Sequence, residues 1–87
     1  MAQYQIMRWK GIPSQVKAFD GNGEVSAMLS NAFQEYIDEV AMQEGLLGSD
    51  AYLDLWTWDE PVERPGGAQE VLDALVAELE AAGPRPA

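Results

Sequence analysis

The stretch Tyr52-Leu53-Asp54-Leu55-Trp56-Thr57-Trp58 constrains this chain most, because it packs two of the three tryptophans and two leucines into seven residues. Side chains alternate across a strand. Read in that period, Leu53, Leu55 and Thr57 fall on one face, and Tyr52, Asp54, Trp56 and Trp58 on the other. The leucine face suits a layer of packed helices. The aromatic face is too large and apolar to leave in water without a reason, since contiguous exposed apolar patches usually mark contact sites. The stretch is therefore expected to be the organising strand of a small domain, with one face for its core and one for a partner.

At 87 residues there is room for one domain and one core; chains of this size bury about 60–65% of the surface that their unfolded form exposes. No apolar run approaches the roughly 18 residues that a membrane span needs. The opening residues Met1-Ala2-Gln3-Tyr4 lack the basic and apolar segments of a secretory signal, so the expected location is cytoplasmic. The net charge is −10, from fifteen acids against five bases. That balance opposes a nucleic-acid or anionic-membrane partner, whose phosphates draw affinity from clustered lysine and arginine. The distribution is uneven: residues 1–20 hold Arg8, Lys10 and Lys17 against the single acid Asp20, and the remaining fourteen acids face only Arg64 and Arg85. Acidic solvent faces on helices account for this on solubility grounds. The sharper alternative is that Arg8, Lys10 and Lys17 form an anion-binding patch.

Taken in order, Tyr4–Trp9 reads as a first strand, broken by Lys10–Ser14 around Gly11 and Pro13. Gln15–Phe19 reads as a second, antiparallel strand, and Asp20-Gly21-Asn22-Gly23 reverses the chain with strong turn chemistry. Residues 24–29 read as an approach containing an irregular helical turn. A helix follows from Ser30 or Asn31, with Phe33, Tyr36, Ile37, Val40 and Ala41 on one face; Gly45 supplies its left-handed terminus and Leu46 or Leu47 folds back on its last turn. Beyond Trp58 the proline-punctuated 59–67 cannot be helical. Residues 68–82 carry the stripe Val71, Leu72, Leu75, Val76, Leu79 of a second helix. The domain thus spans 1–82, and 83–87 is expected to be a disordered tail.

The pattern β-β-α-β-α predicts an α+β two-layer sandwich: a three-stranded, mostly antiparallel sheet in the order 2-1-3, with both helices on one face. Strands two and three should run parallel through a right-handed crossover. The expected core is Ile6, Val16, Phe33, Ile37, Val40, Leu53, Leu55, Leu72, Leu75, Val76 and Leu79.

The chain has no histidine and no cysteine, which removes the common transition-metal ligands, the serine and cysteine triads and the usual neutral-pH proton shuttle. No catalytic residue, cofactor or metal is assigned. Neighbouring carboxylates such as Asp38 with Glu39 point in different directions on a helix and read as solvated charges. Asp54 shares the aromatic face, where a lone carboxylate is costly; Arg8 or Lys17 would pair with it as a structural ion pair. Tyr52, Trp56, Trp58 and Trp9 are the candidate partner-binding residues, weighed against the plain reading that they pack within the domain.

The runs Arg8-Trp9-Lys10, Ile12-Pro13-Ser14-Gln15-Val16-Lys17-Ala18 and Asp50-Ala51-Tyr52-Leu53-Asp54-Leu55-Trp56 resemble the small bacterial "virulence factor" domain family over residues 3–81. The resemblance brings no reaction, substrate or catalytic residue with it. It implies at most an accessory role beside folate and corrinoid one-carbon enzymes. Two functions follow as expectations: a noncatalytic protein-interaction module that uses the aromatic sheet face, as a twofold homodimer or with another protein; or a small accessory subunit or enzyme holding an anionic ligand.

Overall fold

A computed structural model describes residues 1–85; Pro86 and Ala87, the end of the expected tail, lie outside the described residues. The chain forms β1 (Ala2–Trp9), β2 (Ile12–Asp20), β3 (Gly23–Met28), α1 (Asn31–Gln43), α2 (Asp50–Asp54), β4 (Trp56–Trp58), β5 (Val62–Arg64) and α3 (Ala68–Ala82). It is an α+β fold on an antiparallel sheet. The strand order is β3-β2-β1-β4, with β5 also on β1.

Local chemistry explains the two hairpins. Lys10 and Gly11 both take positive φ, 51° and 83°, the pair of dihedrals that a two-residue turn needs to match the twist of its strands. The reversal is therefore tighter than the expected 10–14, and β2 resumes at Ile12. Pro13 is tolerated because β3 reaches only as far as Gln15, so the missing N–H of Pro13 faces no strand. The second hairpin turns at Gly21-Asn22 and closes on the pair Asp20 and Gly23. Here the expected helical turn gives way to a strand. Val25 and Ala27 pack inward while Glu24, Ser26 and Met28 are exposed, a period-two pattern written in small residues.

The sheet has five strands instead of three, yet β1 is central as expected. β4 pairs with Met7–Trp9 and β5 with Ala2–Tyr4, both antiparallel. They are two halves of one interrupted strand. The paired residue numbers sum to 65 along β4 and 66 along β5, so the connection through Asp59–Pro61 carries one extra residue, a bulge at a proline. Since β2 and β4 both run antiparallel to β1, they are parallel to each other.

The core is in two pieces. The first gathers Ile6, Val16, Ala18, Leu29, Phe33, Val71, Leu72 and Leu75, where α3 covers β1 to β3. The second gathers Trp9, Ile12, Ile37 and Ala41, with Tyr36, Val40, Leu46, Tyr52, Leu55 and Trp56 packed against it. The cause is register. A shift between Met7 and Arg8 leaves Ser14 as an extra residue on β2, and Ile6 and Trp9 are an odd number apart on β1. Alternation places them on opposite faces. The two helices therefore do not share one face: α3 serves the first cluster, while α1 gives Phe33 to the first and Ile37 and Ala41 to the second.

The helix ends follow from the expected punctuation. Gly45 has φ 68°, its N–H donates to Met42 O at 3.2 Å, and the N–H of Leu46 donates to Ala41 O at 2.8 Å. This double closure satisfies two free carbonyls, and Leu46 folds back on the second cluster. Ser30 precedes α1, but its side chain does not cap the helix; Ser30 Oγ and N–H both donate to the Glu80 carboxylate at 2.8 Å, tying α1 to α3. Gly67 before α3 has no side chain to cap with, and Asp20 from the hairpin substitutes: its Oδ2 accepts from Ala68 N–H at 2.9 Å and its Oδ1 from Asn22 N–H at 2.8 Å.

These two amides, Ala68 first and Asn22 second, hold the Asp20 carboxyl below its ordinary value. A carboxyl depressed in the fold adds stability that is present above its unfolded value and lost as pH falls through the lower folded value. Arg64, bonded to Glu78 at 3.1 and 2.5 Å, lowers the Glu78 carboxyl in the same direction. Asp20→Asn keeps one acceptor and removes the titration. Its deficit against the wild type in urea midpoint should be largest near neutral pH and shrink below the usual carboxylate range. A deficit independent of pH would show that the Asp20 charge plays no part.

Candidate functional site

The organising stretch is not one strand. Residues 50–54 are the short helix α2 and only Trp56–Trp58 pair with β1. The reason lies in a second period hidden in the same residues: Tyr52, Leu55 and Trp56 stand at i, i+3 and i+4, a helical stripe, and these three pack against the second cluster. Leu53 and Asp54 point to water, Leu53 being 65% exposed. The placement of Leu53 in the core is thus corrected.

The four candidate partner-binding aromatics separate accordingly. Trp9 is fully buried; its indole Nε1–H donates to Tyr52 O at 2.9 Å, and its ring centroid lies 5.5 Å from that of Tyr52. Trp56 meets Tyr52 edge-on at 6.2 Å. These three rings pack on one another and on α1, so the within-domain reading accounts for them. Trp58 alone is exposed, at 36%.

Around Trp58 the structure assembles a surface that the sequence did not show. Strand alternation opposite Ile6, Val16 and Ala18 puts Gln3, Gln5 and Met7 of β1, Gln15, Lys17 and Phe19 of β2, and Glu24, Ser26 and Met28 of β3 on one face. Trp58, paired with Met7, joins them. All are half-buried or exposed. The Lys17 ammonium sits 4.4 Å from the Trp58 ring centroid, a cation–π contact. Gln5 Nε2 donates to Asp59 O at 2.9 Å, at the bulge. In a chain of net charge −10, the centre of this face holds three glutamines, a lysine and four large apolar side chains, with Glu24 and Glu63, the latter paired with Gln3, at its margins. The signal that could have found it was the inward alternation Val25, Ala27, which lengthens the sheet by a strand and widens the face.

The three candidate anion-binding cations do not converge. Arg8 Nε donates to Asp59 Oδ2 at 2.7 Å, Lys10 pairs with Glu44 at the end of α1, and Lys17 lies on Trp58. Two are already neutralised by carboxylates. Asp54 forms none of the salt bridges found among the described residues; Asp59 takes the Arg8 partnership expected for it. A surface depression of about 430 Å³ lies elsewhere, between the β2–β3 turn and the start of α3, lined by Asp20, Asn22, Glu24, Gly67 and Glu70 among others. Among the described residues no group of three or more acids is placed to hold a metal ion, and no helix is long and apolar enough to cross a membrane.

Fold and surface together define a small α+β domain with one sheet face covered by α3 and an opposite face that is packed under α1 and α2 at its Trp9 end and open around Trp58. The family model described as "Virulence factor" matches residues 7–86, nearly the whole chain, and the protein belongs to that family. No curated protein and no solved structure matches it.

Proposed function

We propose that this protein is a noncatalytic protein-interaction module whose contact surface is the open sheet face centred on Trp58. The observation that carries the reading is the selective exposure of Trp58: the domain draws Trp9, Tyr52 and Trp56 inward but leaves this ring on a mostly uncharged face in a strongly acidic molecule. Aromatic side chains that stand in a face of neutral, hydrogen-bonding residues are typical anchors of protein contacts. Lys17, held over the ring, steers acidic or carbonyl-rich surfaces towards it. The wider aromatic surface expected from the sequence narrows to Trp58 with Met7, Phe19 and Met28. The partner is another protein or a second copy. The anionic-ligand alternative loses ground because Arg8 and Lys10 are engaged by Asp59 and Glu44.

The test uses wild-type and Trp58→Glu protein as paired baits in the native host, with captured proteins quantified by mass spectrometry. Trp58→Glu changes an exposed side chain and should leave the helical circular-dichroism signal unchanged. At least one protein should be captured by the wild type and reduced by about tenfold or more with the variant, the loss expected for a central aromatic anchor. Identical captures would remove this face from the function.

A further inference from the structure

We propose that the free edge of β3 pairs antiparallel with β3 of a second copy, joining two five-stranded sheets about a twofold axis at Ser26. This goes beyond the interaction-module reading: the contact lies at the sheet edge, apart from the Trp58 face. β3 ends the strand order. The two-residue turn closes on Asp20 and Gly23, so the pairs bonded to β2 are those of Gly23, Val25 and Ala27, and the backbone groups of Glu24, Ser26 and Met28 point away from it. Among the described residues none of the three takes part in a turn, loop or cap hydrogen bond, and all three are exposed. Soluble proteins commonly blunt such an edge with lysine, proline or a bulge. β3 reads Gly-Glu-Val-Ser-Ala-Met and pairs with β2 without a register shift.

The strand is complementary to itself. With Ser26 opposite Ser26 of the second copy, Glu24 faces Met28 and Val25 faces Ala27. The one charged residue never meets its counterpart: the two Glu24 carboxylates stand four residues apart along the strand, about 13 Å, beyond the Debye length of about 10 Å at 0.1 M salt. The outward groups of Glu24, Ser26 and Met28 are the ones that this register brings into hydrogen-bonded pairs. Val25 and Ala27, already half-buried beside α3, extend the apolar underside. The open faces of the two copies become one continuous surface.

The test combines sedimentation with amide exchange over a dilution series of the whole chain. In the wild type, association should grow with concentration and with added salt, since each copy carries −10. The amides of Glu24, Ser26 and Met28 should gain protection only in the associated state, while those of Val25 and Ala27 are protected at every dilution. Ser26→Pro removes an outward N–H from each copy and no bond to β2, and should weaken association by about tenfold or more. Ser26→Lys, which opposes two charges on the axis without a backbone constraint, should do the same. Trp58→Glu should leave association unchanged. A wild type that stays monomeric, or exchange protection unchanged by dilution, overturns the edge pairing and leaves the Trp58 face to be judged by its own captures. A dimer that Trp58→Glu dissociates and Ser26→Lys does not would place self-association on the face instead.

Discussion

Trp9→Ala should lower stability by about 3–5 kcal/mol, the range for deleting a fully buried aromatic. Small domains have a total of roughly 0.05–0.15 kcal/mol per residue to lose, so the variant should be largely unfolded well below the wild-type denaturant midpoint. The size of the effect follows from position. Trp9 ends β1, where β4 joins it, and its ring is shared by Ile37 and Ala41 of α1, Ile12 of β2 and Tyr52 of α2. Its indole N–H also satisfies the Tyr52 carbonyl. Trp9→Phe fills most of the space but leaves that carbonyl unpaired, and should cost about 1–3 kcal/mol. Equilibrium urea unfolding followed by far-ultraviolet circular dichroism measures both. A loss for Trp9→Ala within about 0.5 kcal/mol, the range of ordinary surface changes, would contradict its place in the second cluster.

The second large effect is a contrast between two residues that the hydrophobic pattern placed together in the core. Phe33→Ala should cost about 3–5 kcal/mol, because Phe33 is buried among Val16, Leu29 and Leu72 and carries the start of α1 into the first cluster. Leu53→Ala should be neutral to within about 0.5 kcal/mol, because its side chain is exposed on the outer side of α2. The same unfolding measurement decides both. A Leu53→Ala cost close to that of Phe33→Ala would restore residue 53 to a sheet core and count against the helical reading of Asp50–Asp54.

What could be read in the chain beforehand was whatever nearest neighbours decide. Helix α3 runs from Ala68 to Ala82 as expected, because Gly67 and Gly83 bound an uninterrupted 3.6-residue stripe. The end of α1 at Gly45, with Leu46 folded back, is a closure within a few residues. The reversals at Gly11 and at Gly21-Asn22, and the central place of β1, follow from turn chemistry and from the apolar character of a short strand. Tertiary structure decided the rest. Tyr52-Leu53-Asp54-Leu55-Trp56 satisfies both a period of two and a stripe at i, i+3, i+4; packing of Tyr52, Leu55 and Trp56 against the Trp9 cluster selects the helical turn, because it brings three large, half-buried side chains to one side where a strand would divide them between faces. The register shift opposite Met7 and Arg8, which splits the core and sends Ile6 and Trp9 to different faces, comes from pairing with a distant strand and leaves no local mark. The candidate surface was legible at Trp58 and Lys17 one residue at a time. Their contact, and the face around them, exist only because β1 brings strands from both ends of the chain side by side.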